Sequence, residues 1–304
     1  MSNINKTISK KYAILSSIIV ILAVILVLTI LLKNRGYSLP TLKAINSNIN
    51  EIKINRGTNE TLSIKLNEGK WILNEEYIAD SDIIESMTNA LNLIKPVEII
   101  SRGEDDKEKY KLLDEELLTV IAIDNSSKEL RNIKFGMKAT LGNNVYAQID
   151  KDKNIYLLGN LSSNPKDIFD KSEDDIINKT ISSIRNDKIN KITVSYNNKD
   201  YTLEKSESTN WLKVWNNSTV KVDDLYSPIY TIANFKADGL IRENLDKNLA
   251  LYKIEIFTDN DFVLYEILNK NNNYEVSLSN DNNRYYINDA TFSNLKEAID
   301  NIIK

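Results

Sequence analysis

Asn50-Glu51-Ile52-Lys53-Ile54 returns 140 positions later as Asn190-Lys191-Ile192-Thr193-Val194, and Trp71 returns as Trp211 at the same shift. Each stretch alternates polar with apolar side chains, the period of two that lays one face of a strand on a core. Beyond Trp211 the register drifts but the order holds. Tyr77-Ile78-Ala79-Asp80 reappears as Val220-Lys221-Val222-Asp223, and Val97-Glu98-Ile99-Ile100-Ser101-Arg102 as Ala237-Asp238-Gly239-Leu240-Ile241-Arg242. Late in each unit, Lys151 to Leu158 is matched by Asn280 to Ile287. The chain therefore reads as two tandem units, 45–182 and 183–304.

Each unit opens with three strand-like runs. These are Glu51 to Arg56, Thr61 to Leu66 and Lys70 to Asn74 in the first, and Lys191 to Tyr196, Asp200 to Lys205 and Trp211 to Trp215 in the second. Asn67-Glu68-Gly69 and Asn197-Asn198 supply turn chemistry between them. A helix follows. Ile83, Met87, Ala90, Leu91 and Ile94 trace an apolar stripe, with Asp80 or Ser81 as N-cap and Pro96 as the stop. In the second unit Leu225, Ile229, Ile232 and Ala233 do the same, with Ser227 as the cap and Pro228 as the first helical residue. Four further strands close each unit, followed by helix: Ser172 opens a capping box in the first, and Ser293 precedes Leu295, Ala298, Ile299 and Ile302 in the second. The expected fold class is α+β: one N-terminal transmembrane helix followed by two tandem copies of an antiparallel-sheet-plus-helix unit.

The transmembrane expectation rests on Tyr12 to Leu32, an uncharged run that would span roughly 31 Å as a helix. It is longer than the apolar region of a signal peptide and is followed by no small-x-small cleavage site. It predicts a cytoplasmic tail at 1–11, a bilayer-spanning signal anchor at 12–32, a stalk at 33–44 and the remaining chain outside the cell membrane. The formal net charge is −4, and residues 1–43 hold six basic residues and no acidic one, so the remainder carries −10. That balance argues against nucleic acid as a partner, because phosphates would be repelled at long range.

The chain has neither histidine nor cysteine. The commonest general base, the commonest transition-metal ligand and the thiol nucleophile are thus absent, which excludes serine-histidine triads, zinc hydrolysis and sortase-like chemistry. We therefore expect no enzyme, no cofactor, and neither catalytic nor metal residues. Glu104-Asp105-Asp106 and Glu173-Asp174-Asp175 lack the spacing and glycine of a calcium loop and read as solvated charge. Gly136 to Gly142 reads as a hairpin turn, since no Gly-Lys-Ser/Thr follows. Trp71 and Trp211 occupy equivalent strand positions, as packing residues would. Trp215 has no counterpart in the first unit and is the candidate for an exposed contact.

The order of motifs resembles the bacterial domain-of-unknown-function family 4340. The residues that carry the resemblance are Lys70-Trp71-Ile72-Leu73, Ala79-Asp80, Tyr110-Lys111-Leu112-Leu113-Asp114, Phe135-Gly136, Gly142 and Tyr146-Ala147. It continues through Ile155-Tyr156-Leu157-Leu158 and Ile176-Ile177-Asn178-Lys179-Thr180-Ile181. The chain departs from the family pattern at Lys111, where a glycine is usual, and lacks the proline expected soon after Asp114. Members have one membrane helix and are often encoded beside gliding-type ABC transporter components. The resemblance implies an accessory or scaffold role in an ABC-type export system, with the permease and ATPase as partners, and it transfers no catalytic residue. The alternative is a cell-surface binding module for wall glycan or another extracellular ligand.

Overall fold

Alternation decides the first strand. In the computed structural model, Glu51–Arg56 forms β1, with Ile52 and Ile54 fully buried and the intervening Glu51, Lys53 and Asn55 half-buried on the other face. The structure describes residues 2–33, 39, 41–45, 48–57, 60–103, 105–113, 117–206, 211–215, 218–222, 225–242, 250–270, 273–281 and 283–303.

After helix α1 (Ser2–Lys33) and β1 come β2 (Glu60–Asn67), β3 (Lys70–Leu73), β4 (Tyr77–Ile78), α2 (Ser81–Leu93) and β5 (Lys95–Ser101). Next are β6 (Leu118–Ile123), β7 (Glu129–Lys138), β8 (Val145–Ile149), β9 (Ile155–Gly159), α3 (Pro165–Phe169), α4 (Glu173–Ile176) and β10 (Thr180–Ser183). The second half holds β11 (Ile189–Tyr196), β12 (Lys199–Lys205), β13 (Trp211–Trp215), β14 (Ser218–Val222), α5 (Tyr226–Ala233), β15 (Asn234–Lys236) and β16 (Gly239–Ile241). It ends with β17 (Ala250–Thr258), β18 (Phe262–Lys270), β19 (Asn273–Leu278), β20 (Arg284–Ile287) and α6 (Asp289–Ile303).

The strands form two nine-stranded antiparallel sheets and a two-stranded one. The first runs β4-β3-β2-β1-β6-β7-β8-β9-β5 and the second β14-β13-β12-β11-β17-β18-β19-β20-β16, one order in both. Ile54 faces Leu62 on one side and Val120 on the other, as Val194 faces Tyr201 and Ile254. Two-residue turns set the hairpin registers. Asn197 and Asn198 both have positive φ, as do Glu68 and Gly69, the backbone that matches the twist of paired strands. Each sheet has its own core. Ile84, Met87, Ala90 and Leu91 of α2 lie in the first, and Ile229 and Ile232 of α5 with Leu295, Ala298 and Ile299 of α6 in the second.

Three expectations are corrected. The fold class is mostly β rather than α+β, with strand at 44% of the chain and helix at 26%. Because β1 pairs with β2 on one edge and β6 on the other, the early and late strands of each half merge into one large sheet. The description as tandem sheet-plus-helix units goes with it, since the helices do not recur as the sheets do. α2, α3 and α4 have 13, 5 and 4 residues, whereas α5 and α6 have 8 and 15.

The third correction concerns the membrane. Among the described residues no helix is long and apolar enough to cross one. That overturns the transmembrane helix at 12–32, the single-pass signal anchor and the localisation built on them. The side chains described in α1, those of residues 15–30, are all exposed.

Local signals fare unevenly. Asp80 caps α2 by accepting from the Asp82 amide at 3.0 Å, and Ser172 and Asp175 form the capping box of α4. At α5, Ser227 is inside the helix and Leu225 is the N-cap, with no side-chain cap bond, so Pro228 is the third helical residue, where its missing N–H is still harmless. Asn288 caps α6, accepting from the Thr291 amide at 2.9 Å, and Ser293 lies inside the helix.

Candidate functional site

The segment 176–184 bridges the two sheets through its backbone. On one side the Asp80 amide donates to the Ile176 carbonyl and the Asn178 amide to the Ile78 carbonyl, both at 2.8 Å. On the other, β10 pairs with β15, and the Ala237 amide donates to the Lys179 carbonyl at 2.8 Å. Side chains reinforce the junction. Lys236 Nζ lies 2.9 Å from Asp80 Oδ2, and the Arg242 guanidinium pairs with Glu173 at 3.4 Å and stands 5.9 Å from the Tyr77 ring centre. Leu240 packs against both cores.

A cleft of about 520 Å³ opens at this junction, lined by Asp80, Asp82, Asn178, Thr180, Ser183, Tyr230 and Lys236 among others. Clefts between packed units are common ligand sites. Burial alone pushes the Asp80 carboxyl up, but the Lys236 ammonium and the amides of Asp82 and Ile83 outweigh it and hold the carboxyl below the usual carboxylate range. Asp80 is thus an ionised structural group, both an N-cap and an ion-pair partner. Ser182 Oγ donates to the Ala233 carbonyl at 2.7 Å, and Asn234 Nδ2 donates to the Ile184 carbonyl at 2.8 Å. Tyr230 stands exposed at the rim. Chemically the cleft offers hydroxyl and amide groups, the Asp82 carboxylate, and the Asp80 carboxylate tied to the Lys236 ammonium.

The residues singled out in sequence are dispersed. Trp71 and Trp211 are half-buried against the first and second cores respectively. Trp215 ends β13 opposite Ser218, but its side chain lies outside the described residues. Of the acidic clusters, Glu104 lies outside the described residues and Asp106 accepts from Ser101 Oγ at 2.6 Å. Glu173 pairs with Arg242, Asp174 with Lys179, and Asp175 completes the capping box. Among the described residues no group of three or more acidic side chains could hold a metal. Gly136 to Gly142 runs from β7 into the β7–β8 connection. Lys236 and Arg242 went unnoticed in sequence because their partners lie 156 and 69 residues away.

The motif residues Tyr110 to Leu112 and Gly136 meet in space. The Met137 amide donates to the Tyr110 carbonyl at 2.9 Å, and a Cβ on Gly136 would stand 2.1 Å from that oxygen. Leu112, Leu117 and Ile155 form a small satellite core there, and the Tyr110 and Tyr146 rings lie 4.5 Å apart.

Sheet order and junction define a mostly β protein of two like sheets joined by a strand-paired bridge. Residues 71–253 match DUF4340, a domain of unknown function, and the chain belongs to that family. No curated protein and no solved structure matches it.

Proposed function

We propose that the protein is a non-catalytic scaffold serving as an accessory of an ABC-type transport system. The observation that carries the scaffold reading is the junction, where backbone pairing, two ion pairs and shared packing of Leu240 couple two sheets of one strand order. Four polar groups of the junction cleft are committed, Asp80 to a helix cap and an ion pair, and Lys236, Ser182 and Asn234 to partners across the bridge. Two like surfaces on one chain suit the holding of partners. The transport setting comes from the resemblance of the motifs to proteins encoded beside gliding-type ABC transporter components.

The test is purification of the tagged full-length protein from its own host in mild detergent, followed by mass spectrometry of what accompanies it. An ABC permease and its ATPase are the expected companions. Recovery of neither, from cells that express both, sinks the accessory role.

A further inference from the structure

The two sheets serve as controls for one another, and at one cleft they differ. Following the ladder from Ile54 and Val194, Val120 faces the first and Ile254 the second. Two positions on, Ala122 faces Arg131 in the first sheet, whereas Ile256 faces Val263 in the second. Ile149 faces Ile133 and is followed by Asp150, whereas Leu278 faces Tyr265 and is followed by Ser279. The Arg131–Asp150 pair therefore stands where the second sheet manages with valine and serine. Forming the ladder does not require it.

Arg131 is 3% exposed, although a guanidinium is among the groups least readily buried. Its Nη2 donates to the Lys43 carbonyl at 2.5 Å and its Nη1 lies 3.3 Å from Asp150 Oδ2, while its Nε is buried without a hydrogen-bond partner. It sits in the wall of a cleft of about 560 Å³ between residues 41–45 and the turn that joins β8 to β9. Lys43, Lys128 and Arg131 balance Glu129, Asp150 and Asp152 in that wall. The cleft thus has no net charge with which to select an ion. Asp150 Oδ1 accepts from the Asn132 amide, and Asp152 accepts from the Asn154 amide and the Tyr156 hydroxyl. Each carboxylate oxygen has a second acceptor site beyond these bonds. Leu42 and Leu130 add half-buried aliphatic surface.

We propose that this cleft binds a neutral polyhydroxylated ligand of the saccharide class, with Asp150 and Asp152 accepting from its hydroxyls and Arg131 positioning the Asp150 carboxylate. The volume is that of a small-molecule site. Aliphatic walls suit the apolar faces of a sugar ring, and fixed carboxylates suit its hydroxyls. The assignment is independent of the accessory role, because the cleft lies on one sheet and away from the junction.

The test uses the full-length protein and two neutral probes, maltotriose and triacetylchitotriose, with saturation-transfer NMR and calorimetry. Saturable binding of at least one is expected, insensitive to added salt. Asp150→Asn weakens it about ten-fold or more, as loss of a hydrogen bond to a charged group does. Ser279→Ala, at the corresponding place in the second sheet, leaves it unchanged, and unfolding midpoints of both variants check that the fold persists. Failure of both probes to bind saturably, binding that falls with salt, or unchanged affinity in folded Asp150→Asn overturns the proposal.

Discussion

Tyr285 donates its hydroxyl to Asp281 Oδ2 at 2.6 Å, and Tyr156 donates to Asp152 Oδ2 at 2.5 Å. In both places the other carboxylate oxygen accepts from an amide two residues on, Asn283 or Asn154, at 2.9 Å. One aspartate closes the turn and locks the tyrosine of the next strand against the core. We expect Tyr285→Phe and Tyr156→Phe each to destabilise by about 1.5–3 kcal/mol, the worth of a hydrogen bond to a charged acceptor. The two losses should add, since the residues lie on different sheets. Denaturant unfolding of both single variants and the double variant checks this.

Alkali should weaken the second sheet. Burial pushes the Tyr265 and Tyr285 phenols well above their ordinary value of 10.0, and the bond to Asp281 adds to it for Tyr285. The folded protein then holds these protons after the unfolded chain has released them. Their contribution is full below about pH 10 and falls as pH rises further. Tyr265→Phe should flatten that fall, read as unfolding free energy against pH, although it also leaves the Ile232 carbonyl without the 2.8 Å bond that Tyr265 donates.

At the junction the sign is opposite. Asp80 is depressed below its ordinary 3.8, so its contribution is present above about pH 4 and is lost as pH falls through its folded value. Asp80→Asn keeps an N-cap but removes the charge facing Lys236, itself largely exposed. A loss of about 0.5–1 kcal/mol at neutral pH is expected, vanishing in acid. Equal losses at neutral and acid pH would refute the ion-pair account.

Lys111 has φ of +54°, the left-handed conformation that glycine adopts without strain and other residues do not. That gives a physical meaning to the glycine usual at this place in the family. Lys111→Gly should stabilise by about 0.5–1 kcal/mol, the relief of strain exceeding the added entropy of the unfolded chain. Gly136→Ala should do the reverse, by about 2–3 kcal/mol, because its Cβ would press on the Tyr110 backbone carbonyl. Thermal unfolding of both variants decides it.

Much of this architecture is legible in local sequence. The alternation around Ile52 and Ile192 marks strands, Asn197-Asn198 marks a hairpin turn, and Asp80 and Ser172 mark helix starts, because each is settled by backbone preferences within a few residues. The cap at α5 misled because Ser227-Pro228 reads as a start, whereas packing of Ile229 and Ile232 in the second core goes with a helix beginning at Tyr226. Apolar length alone suggested a membrane crossing at 12–32, and no helix of sufficient length and apolarity stands among the described residues.

What the sequence determined by itself was the three opening and four later strands of each half, their turns and the recurrence that ties Ile54 to Val194, whereas β4, β5, β10, β14, β15 and β16 appear only in the folded chain. Only the tertiary structure decided that β1 lies between β2 and β6, that Lys236 reaches Asp80, and that Arg131 is buried where the other sheet has Val263. Strand and turn preferences are energies of neighbouring residues, visible in a short window. Sheet partners and ion pairs join residues tens to more than a hundred positions apart, and their choice depends on how whole faces pack.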